Sequence, residues 1–159
     1  MPQAVIMIGA ACSGKSTFAA QSVRDTPNLV VVCPDAIRAE LGMTTYDRSF
    51  NISAWETTYR RIAETLQADK PVLVDSTCVN LNKRRALIGH CRKSGADKVI
   101  GVWVDAPPAL CRQRNATRPP YGIDMQVSKS DLQRMFFLLR RYPPSRADGF
   151  DEFMKVKGY

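Results

Sequence analysis

The sequence contains a single histidine, His90, and five cysteines without any C-x-x-C spacing. Five cysteines so arranged indicate neither a tetrahedral zinc site nor a disulfide framework. His90 is predicted to lie within a helix, so we interpret it as structural, and no histidine-based triad or metal cluster is expected. Free cysteines are typical of a reducing compartment, which predicts a cytoplasmic protein with no disulfide partner. Catalysis in this chain would therefore depend on carboxylate, hydroxyl, lysine and arginine groups.

Long hydrophobic runs, internal repeats and low-complexity tracts are absent as well. The apolar run at 4–11 is too short to span a membrane and has no basic residues before it, as a signal peptide would. We therefore expect no membrane association. The chain has 159 residues, of which 45% are hydrophobic, and this size suits one compact domain over 1–159.

Acidic residues are outnumbered, with 15 Asp and Glu against 23 Lys and Arg and a net charge of +8. Such an excess favours a polyanionic partner, with nucleic acid as the first candidate. Much of the excess lies in adjacent pairs, which are often only solvated helix faces. These pairs are Arg60-Arg61, Arg84-Arg85 and Arg140-Arg141. Composition therefore permits a nucleic-acid partner without requiring one.

Short apolar runs rich in β-formers alternate with helical patterns along the chain. Strands are predicted at 4–8, 29–32, 72–74, 99–104 and, more weakly, 153–156. Helices are predicted at about 16–24, 52–66, 82–93, 107–117 and 128–141. The buried stripe of the helix at 52–66 is predicted to contain Ile52, Trp55, Tyr59, Ile62, Ala63 and Leu66. This order predicts an α/β fold with a central parallel sheet of about five strands, covered by helices on both faces.

A phosphate-binding loop is predicted directly after the first strand. The residues there are Gly9, Ala10, Ala11, Cys12, Ser13, Gly14, Lys15 and Ser16, which match G-x-x-x-x-G-K-[ST] at every required position. The glycines allow backbone N–H groups to wrap phosphate oxygens. Lys15 is expected to contact the β- and γ-phosphates and Ser16 to ligate Mg²⁺, while Thr17 adds a nucleotide contact at the helix start. The loop therefore predicts ATP and Mg²⁺ as cofactors.

A phosphate-binding loop by itself does not separate kinases from other nucleotide hydrolases, so the acceptor side has to decide. Asp35 follows the second strand, and Arg38 lies three residues on, so both side chains can point to one side of a helix. A carboxylate there can accept a proton from an attacking hydroxyl while the guanidinium holds a phosphate. The alternative is that Asp35 is only a helix N-cap paired with Arg38. Asp75 ends the third strand, where it would support Mg²⁺ through water or serve as a turn residue.

Two arginines, Arg114 and Arg118, lie four residues apart at the end of a helix that Pro119 and Pro120 terminate. Like charges so placed disfavour each other, so an anion between them is a natural explanation, and a solvated pair is the alternative. We predict a helical lid at about 112–127. In such a lid Arg118 would stabilise the transferring phosphoryl group, and Arg114 would contact the nucleotide.

Together these motifs resemble the polynucleotide-kinase family of P-loop phosphotransferases, of the phage type, over residues 6–156. The resemblance implies a three-layer P-loop kinase fold and roles for five residues outside the loop. These are Asp35 as general base toward a 5′-hydroxyl, Arg38 as ligand of the acceptor's phosphate, Asp75 and Thr77 as the D-x-T segment, and Arg118 as the lid arginine.

The resulting hypothesis is in-line transfer of the γ-phosphate from Mg·ATP to a hydroxyl of a nucleic acid, with the 5′-hydroxyl of a polynucleotide as the leading acceptor. Two other kinase reactions stay open, on a hydroxymethylated pyrimidine in DNA and on a small molecule or nucleoside. A nucleotide-binding interaction module with slow ATPase activity is the alternative from another class. DNA or RNA, ATP or GTP, and the oligomeric state are not determined by the sequence pattern.

Overall fold

The protein is described by a computed structural model over residues 2–43, 48–120, 122 and 125–158. In these ranges five strands form one sheet in the order β2-β3-β1-β4-β5, and every neighbouring pair is parallel. The strands are β1 Gln3–Ile8, β2 Val30–Val32, β3 Val72–Val74, β4 Lys98–Asp105 and β5 Glu152–Lys157. The predicted α/β class and the parallel five-stranded sheet are confirmed.

Six helices connect the strands in the described part of the chain. They are α1 Lys15–Asp25, α2 Pro34–Glu40, α3 Arg48–Gln67, α4 Leu81–Lys93, α5 Pro108–Ala116 and α6 Lys129–Arg141. The starts of two of them follow local capping chemistry, because the side chains of Asn80 and Ser128 accept backbone N–H groups at the first turns of α4 and α6. Within the described ranges, no helix combines the length and the apolar composition that a membrane span requires.

The core lies on both faces of the sheet. Ile6 and Ile8 of β1 belong to a large apolar cluster that also contains residues of α3 and α4. Met7, between them in sequence, belongs to a second cluster with Ala19 of α1. Since successive strand residues point to opposite faces, α1 covers one face and α3 and α4 cover the other. This arrangement leaves the carboxyl ends of the strands as the edge where loops can meet a ligand.

The predicted buried stripe of α3 is wrong at its first residue. Ile52 is 52% exposed, whereas Ala54, Thr58, Ile62 and Leu66 are buried. The buried face includes Thr58, whose hydroxyl is not left unsatisfied because it donates to the carbonyl of Ala54 at 2.7 Å. Apolar periodicity does not recognise a threonine as a core residue. The other predicted positions in the stripe are buried or half-buried.

Candidate functional site

The loop between β1 and α1 has backbone requirements that only glycine meets at two positions. A Cβ on Gly9 would lie 2.6 Å from the carbonyl oxygen of Val104 and 2.7 Å from Oγ of Ser13. The N–H of Gly9 donates to the carbonyl of Thr77 at 2.9 Å, so the loop is joined to the segment that follows β3. Gly14 precedes α1 with a φ of 105°, in the left-handed region. The two glycines therefore shape the loop as its motif predicts.

Lys15 is folded back onto the same loop. Its Nζ donates to the carbonyls of Gly9 at 3.0 Å and Ala10 at 2.7 Å, and the side chain is buried within the loop. An ammonium group has three donors, so these two bonds leave one for a phosphate oxygen. The charge of Lys15 is thus held at the centre of the loop before any nucleotide binds.

The electrostatic surroundings of Lys15 include three of the other predicted site residues. Burial lowers the pKa of Lys15 below its usual 10.5, and the carboxylates of Asp75 and Asp35 act in the opposite direction. The positive charge of Arg118 adds to the lowering. Side chains from three other segments of the chain therefore influence the charge of this ammonium group.

The two residues predicted to support Mg²⁺ are in direct contact. Oγ of Ser16 donates to Oδ2 of Asp75 at 2.9 Å, and Asp75 is 9% exposed. Within the described ranges, no group of three or more His, Cys, Asp or Glu side chains is arranged so that it could hold a metal ion. Mg²⁺ in phosphate sites takes one or two protein oxygens and completes its shell with phosphate and water. A hydroxyl and a carboxylate beside the loop therefore fit this ion.

Asp35 and Arg38 form an ion pair on α2, as their spacing predicts. Arg38 is also held by Asn51 of α3, whose Oδ1 accepts from Nε at 3.0 Å and from Nη2 at 2.7 Å. The side chain of Asp35 is 66% exposed and that of Arg38 is 19% exposed. The alternative is wrong in making Asp35 the N-cap, because Cys33 occupies that position and Asp35 lies in the first turn, while the pairing with Arg38 that it also proposed is observed. The contact with Asn51 was not predicted, since nothing in the local pattern of α3 marks that residue.

The two arginines of α5 and its end have different surroundings. Nη1 of Arg114 donates to the carbonyls of Cys12 at 3.0 Å and Gly158 at 2.9 Å, and so joins the phosphate loop to the end of β5. The carbonyl of Arg118 accepts from Nε2 of Gln126 at 2.8 Å. The predicted lid at 112–127 includes residues 121, 123 and 124, which lie outside the described residues. Its described parts are tied together at the base.

That base contains a reciprocal side-chain contact. The side-chain amide of Asn115 donates to the carbonyl of Val127 at 2.8 Å and accepts from its N–H at 3.0 Å. The side-chain amide of Asn115 therefore pairs with both backbone groups of Val127, as a neighbouring strand would in a sheet. The contact brings together two residues near the two ends of the predicted lid.

A cavity of about 730 Å³ opens beside the loop. Of the predicted nucleotide contacts, its lining includes Cys12, Gly14, Lys15, Ser16, Thr17, Arg114 and Arg118. The other predicted loop residues, Gly9, Ala10, Ala11 and Ser13, are buried beneath it. Asp35 and Arg38 lie outside its lining. The nucleotide-sized cavity beside the loop therefore does not include the α2 ion pair.

One residue of the site's framework was missed. Arg84 of α4 is fully buried, forms an ion pair with Asp148 at 2.8 Å, and donates to the carbonyls of Cys78, Val79 and Tyr142 at 3.1, 2.9 and 2.9 Å. These bonds hold the segment after β3, the same segment that receives the N–H of Gly9. The sequence places Arg84 in a pair of adjacent arginines that suggests a solvated face, and that interpretation is wrong for this residue. Because arginine is rarely buried, nothing in the local sequence indicates that Arg84 lies in the core.

Comparison with known proteins relates this geometry to a family and a fold. A protein-family model described as an AAA domain matches residues 5–141. A chain in the structure of the Pnkp1/Rnl/Hen1 RNA repair complex superposes with a TM-score of 0.77 at 22% identity, over 88% of this chain and 44% of that one. This chain thus spans less than half the length of that relative. No curated protein sequence matches the chain.

Two further structures cover nearly the whole chain. Kti12 from Chaetomium thermophilum, in complex with ADP-AlF3, has a TM-score of 0.73 at 14% identity, over 97% of this chain and 88% of that one. A gluconokinase from Sinorhizobium meliloti has a TM-score of 0.59 at 17% identity, over 98% and 82%. At these identities the similarity shows the shared P-loop kinase fold alone.

Proposed function

This chain belongs to the AAA domain family and has a P-loop kinase-like fold, and from its site we propose that it is an ATP-dependent kinase that phosphorylates the 5′-hydroxyl of a polynucleotide. The observation that carries the proposal is the arrangement around Lys15. The phosphate loop faces a nucleotide-sized cavity, while the carboxylate of Asp35 acts on the same ammonium group from outside that cavity. In this proposal a nucleotide in the cavity and an acceptor at Asp35 would meet near Lys15.

The donor side acts by holding charge. The loop N–H groups and Lys15 would bind the β- and γ-phosphate oxygens, and Ser16 with Asp75 would hold Mg²⁺. When bound, Mg²⁺ supplies neutralisation of the charge that develops on the phosphate oxygens. Because the transition state of phosphoryl transfer is loose, positioning and electrostatic stabilisation contribute more than base strength. Arg118 would add positive charge from the lid.

The acceptor side acts by exchanging partners. Without substrate, Asp35 and Arg38 neutralise each other, and Asn51 fixes the guanidinium. A phosphate of the acceptor would compete for Arg38 and release the carboxylate of Asp35. Asp35 would then accept the proton of the 5′-hydroxyl while the hydroxyl oxygen bonds to the γ-phosphorus and ADP leaves.

The polynucleotide acceptor is supported by two features. Arg38 is a planar, oriented guanidinium, which suits a phosphodiester better than a neutral sugar. The net charge of +8 favours a polyanion. Both features concern the acceptor alone, so they are tested apart from phosphoryl transfer itself.

The acceptor is tested with [γ-³²P]ATP and a panel of 5′-hydroxyl RNA, 5′-hydroxyl DNA, hydroxymethylated DNA, nucleosides and gluconate. Label on the 5′ end of either oligonucleotide is expected. Label only on a modified base or a small molecule would contradict the acceptor but keep the kinase. ATP hydrolysis with no labelled acceptor would point instead to an interaction module with slow ATPase activity.

The role of Asp35 is tested by Asp35→Asn, which removes the proton acceptor and keeps the size of the side chain. We expect kcat to fall by about 10² to 10⁴ while nucleotide binding is retained. Glu64→Gln on α3 is the matched control, because Glu64 forms an exposed ion pair with Arg60. An Asp35→Asn protein that turns over like the control would exclude the carboxylate as the base.

A further inference from the structure

A second cavity of about 790 Å³ lies between α5 and α6 and shares no lining residue with the nucleotide cavity. We call it the α5–α6 groove. Leu132, which is buried, and Phe137, which is 56% exposed, provide apolar surface, while Arg112, Lys129 and Arg140 also line the groove. Nothing in the proposed transfer reaction uses any of these five residues.

The groove lies in a basic part of the sequence, and three cations and no acidic residue line it. Residues 106–146 contain eight Lys or Arg and two Asp, a net charge of +6 out of +8 for the whole chain. Ion pairs between described residues neutralise cations elsewhere, on α2, α3, α4, β4 and β5, and none of these pairs includes Arg112, Lys129 or Arg140. Outside the nucleotide cavity, the groove is therefore a place where a polyanion gains from the charge of the chain.

The aromatic surface narrows the kind of polyanion. Phe137 is more than half exposed, so its ring is accessible for stacking. It does not form part of a closed pocket that could hold the side chain of a protein partner. Cations that follow a backbone, combined with exposed aromatic rings on which bases stack, are the chemistry that binds single-stranded nucleic acid without sequence preference. An acidic protein segment would use the cations but has no need of an exposed ring.

The groove also adjoins the lid. Asn115 lines it and makes the contact with Val127 that closes the base of the lid. Arg112 faces the groove, while Arg114, two residues on, faces the phosphate loop. Helix α5 therefore separates the two cavities and contributes an arginine to each. A strand lying in the groove would run beside the lid of the transfer site.

We propose that the α5–α6 groove binds a stretch of single-stranded nucleic acid behind the end that is phosphorylated, with phosphates on Arg112, Lys129 and Arg140 and a base stacked on Phe137. This inference rests on the proposed function for its acceptor. It adds a second contact that a polynucleotide can make and a mononucleotide cannot. The groove would therefore favour long acceptors over short ones.

The test measures binding without turnover. A 3′-fluorescein, 5′-phosphorylated single-stranded 12-mer, which lacks the acceptor hydroxyl, is titrated with protein across a salt series and followed by anisotropy. The R112Q/K129Q/R140Q variant should bind more weakly, and its slope of log K against log salt should be less steep by about 2, the value for three lost phosphate contacts on a single strand. The variant K70Q/K83Q/K93Q, which changes exposed lysines by the same charge, is the control.

Phe137→Leu tests the aromatic contact, because leucine keeps an apolar side chain but offers no ring. We expect oligonucleotide binding to weaken at least about fivefold with the salt slope unchanged. The inference is overturned if wild type does not bind the oligonucleotide, if the groove variant behaves like the lysine control, or if oligoglutamate of equal charge competes as well as unlabelled oligonucleotide. Nucleotide-dependent shifts in melting temperature show that each variant is folded.

Transfer to a 5′-hydroxyl dinucleotide, which has a single phosphodiester and so cannot contact all three groove cations, separates the two proposals. The groove variants should phosphorylate it like wild type and lose kcat/KM only with long acceptors. A parallel loss with the dinucleotide would mean that these residues serve the transfer site or the fold, and would overturn the groove. If no 5′-hydroxyl is labelled by wild type, the transfer proposal fails while the binding measurement still decides the groove.

Discussion

Replacing Arg84 by methionine would measure how much the buried ion pair between Arg84 and Asp148 contributes to the free energy of unfolding. The substitution keeps an apolar stem but removes the guanidinium, so the carboxylate of Asp148, 7% exposed, loses its partner. The carbonyls of Cys78, Val79 and Tyr142 lose their donor as well. Because the segment also receives the N–H of the phosphate loop, the loss should affect both stability and the site.

The expected magnitude follows from burial. Breaking a buried ion pair on one side costs about 3–5 kcal/mol, because an uncompensated charge stays in the interior. For a chain of this size each kcal/mol shifts the melting temperature by about 2–4 °C, so Arg84→Met should lower it by roughly 6–20 °C. Arg85→Met is the matched control, because Arg85 is exposed, and should stay within about 0.5 kcal/mol of wild type.

Urea unfolding, followed by tryptophan fluorescence and circular dichroism, gives the free energies. In a double-mutant cycle, Arg84→Met with Asp148→Leu should lose clearly less than the sum of the two single variants, since no charge is left unpaired in the double variant. A loss below about 1 kcal/mol for Arg84→Met, or a loss equal to that of Arg85→Met, would refute the reasoning. Additive single losses would show that the two side chains do not act as a pair.

Three more outcomes follow from local geometry. Gly158→Ala should weaken nucleotide binding in calorimetry, because its Cβ would lie 1.7 Å from a phosphate-loop carbonyl oxygen. Gly89→Ala in α4, where a Cβ meets nothing within 4 Å, should instead stabilise the protein by about 0.5–1 kcal/mol and leave nucleotide binding unchanged. Equal nucleotide affinities of the two variants would contradict this prediction. The pKa of Lys15 is lower in the folded than in the unfolded protein, so the stability of the ligand-free protein should rise with pH between the folded pKa and 10.5. In that pH range nucleotide binding should take up a proton, and calorimetry should show binding heats that depend on the buffer and that lose this dependence in Lys15→Arg. Burial raises the pKa of Cys91 to about 12, so at pH 8 a thiol reagent should modify half-buried Cys33 first in peptide mass spectra; earlier labelling of Cys91 would contradict its burial.

The phosphate loop was predictable because its requirements are local. Eight consecutive residues have to supply two glycines, a lysine and a hydroxyl at fixed offsets, and each requirement is visible in the printed order. The strands were predictable for a related reason, since central parallel strands buried on both faces appear as continuous apolar runs. Each predicted strand end agrees with the structure to within one residue.

The burial of polar side chains was not predictable in the same way. Thr58 is buried in α3 while Ile52, predicted to be buried, is exposed, and Arg84 lies in the core where a solvated face is predicted. Both are buried because a particular partner satisfies them, and periodicity counts apolar residues without asking for partners. Such positions become visible only when the partner's location is known.

The order of residues by itself determined the phosphate loop, the class of fold and the candidates on α2 and the lid, because helix and strand periods and loop chemistry act over a few neighbours. Only the tertiary structure decided that Asn51 orients Arg38, that Asp148 pairs with Arg84, and that Arg114 joins the phosphate loop to Gly158. These contacts join residues that are 13, 64, 102 and 44 positions apart. Hydrogen bonds and ion pairs act over a few ångströms of space, and at such separations the distance in space is set by how the helices pack on the sheet.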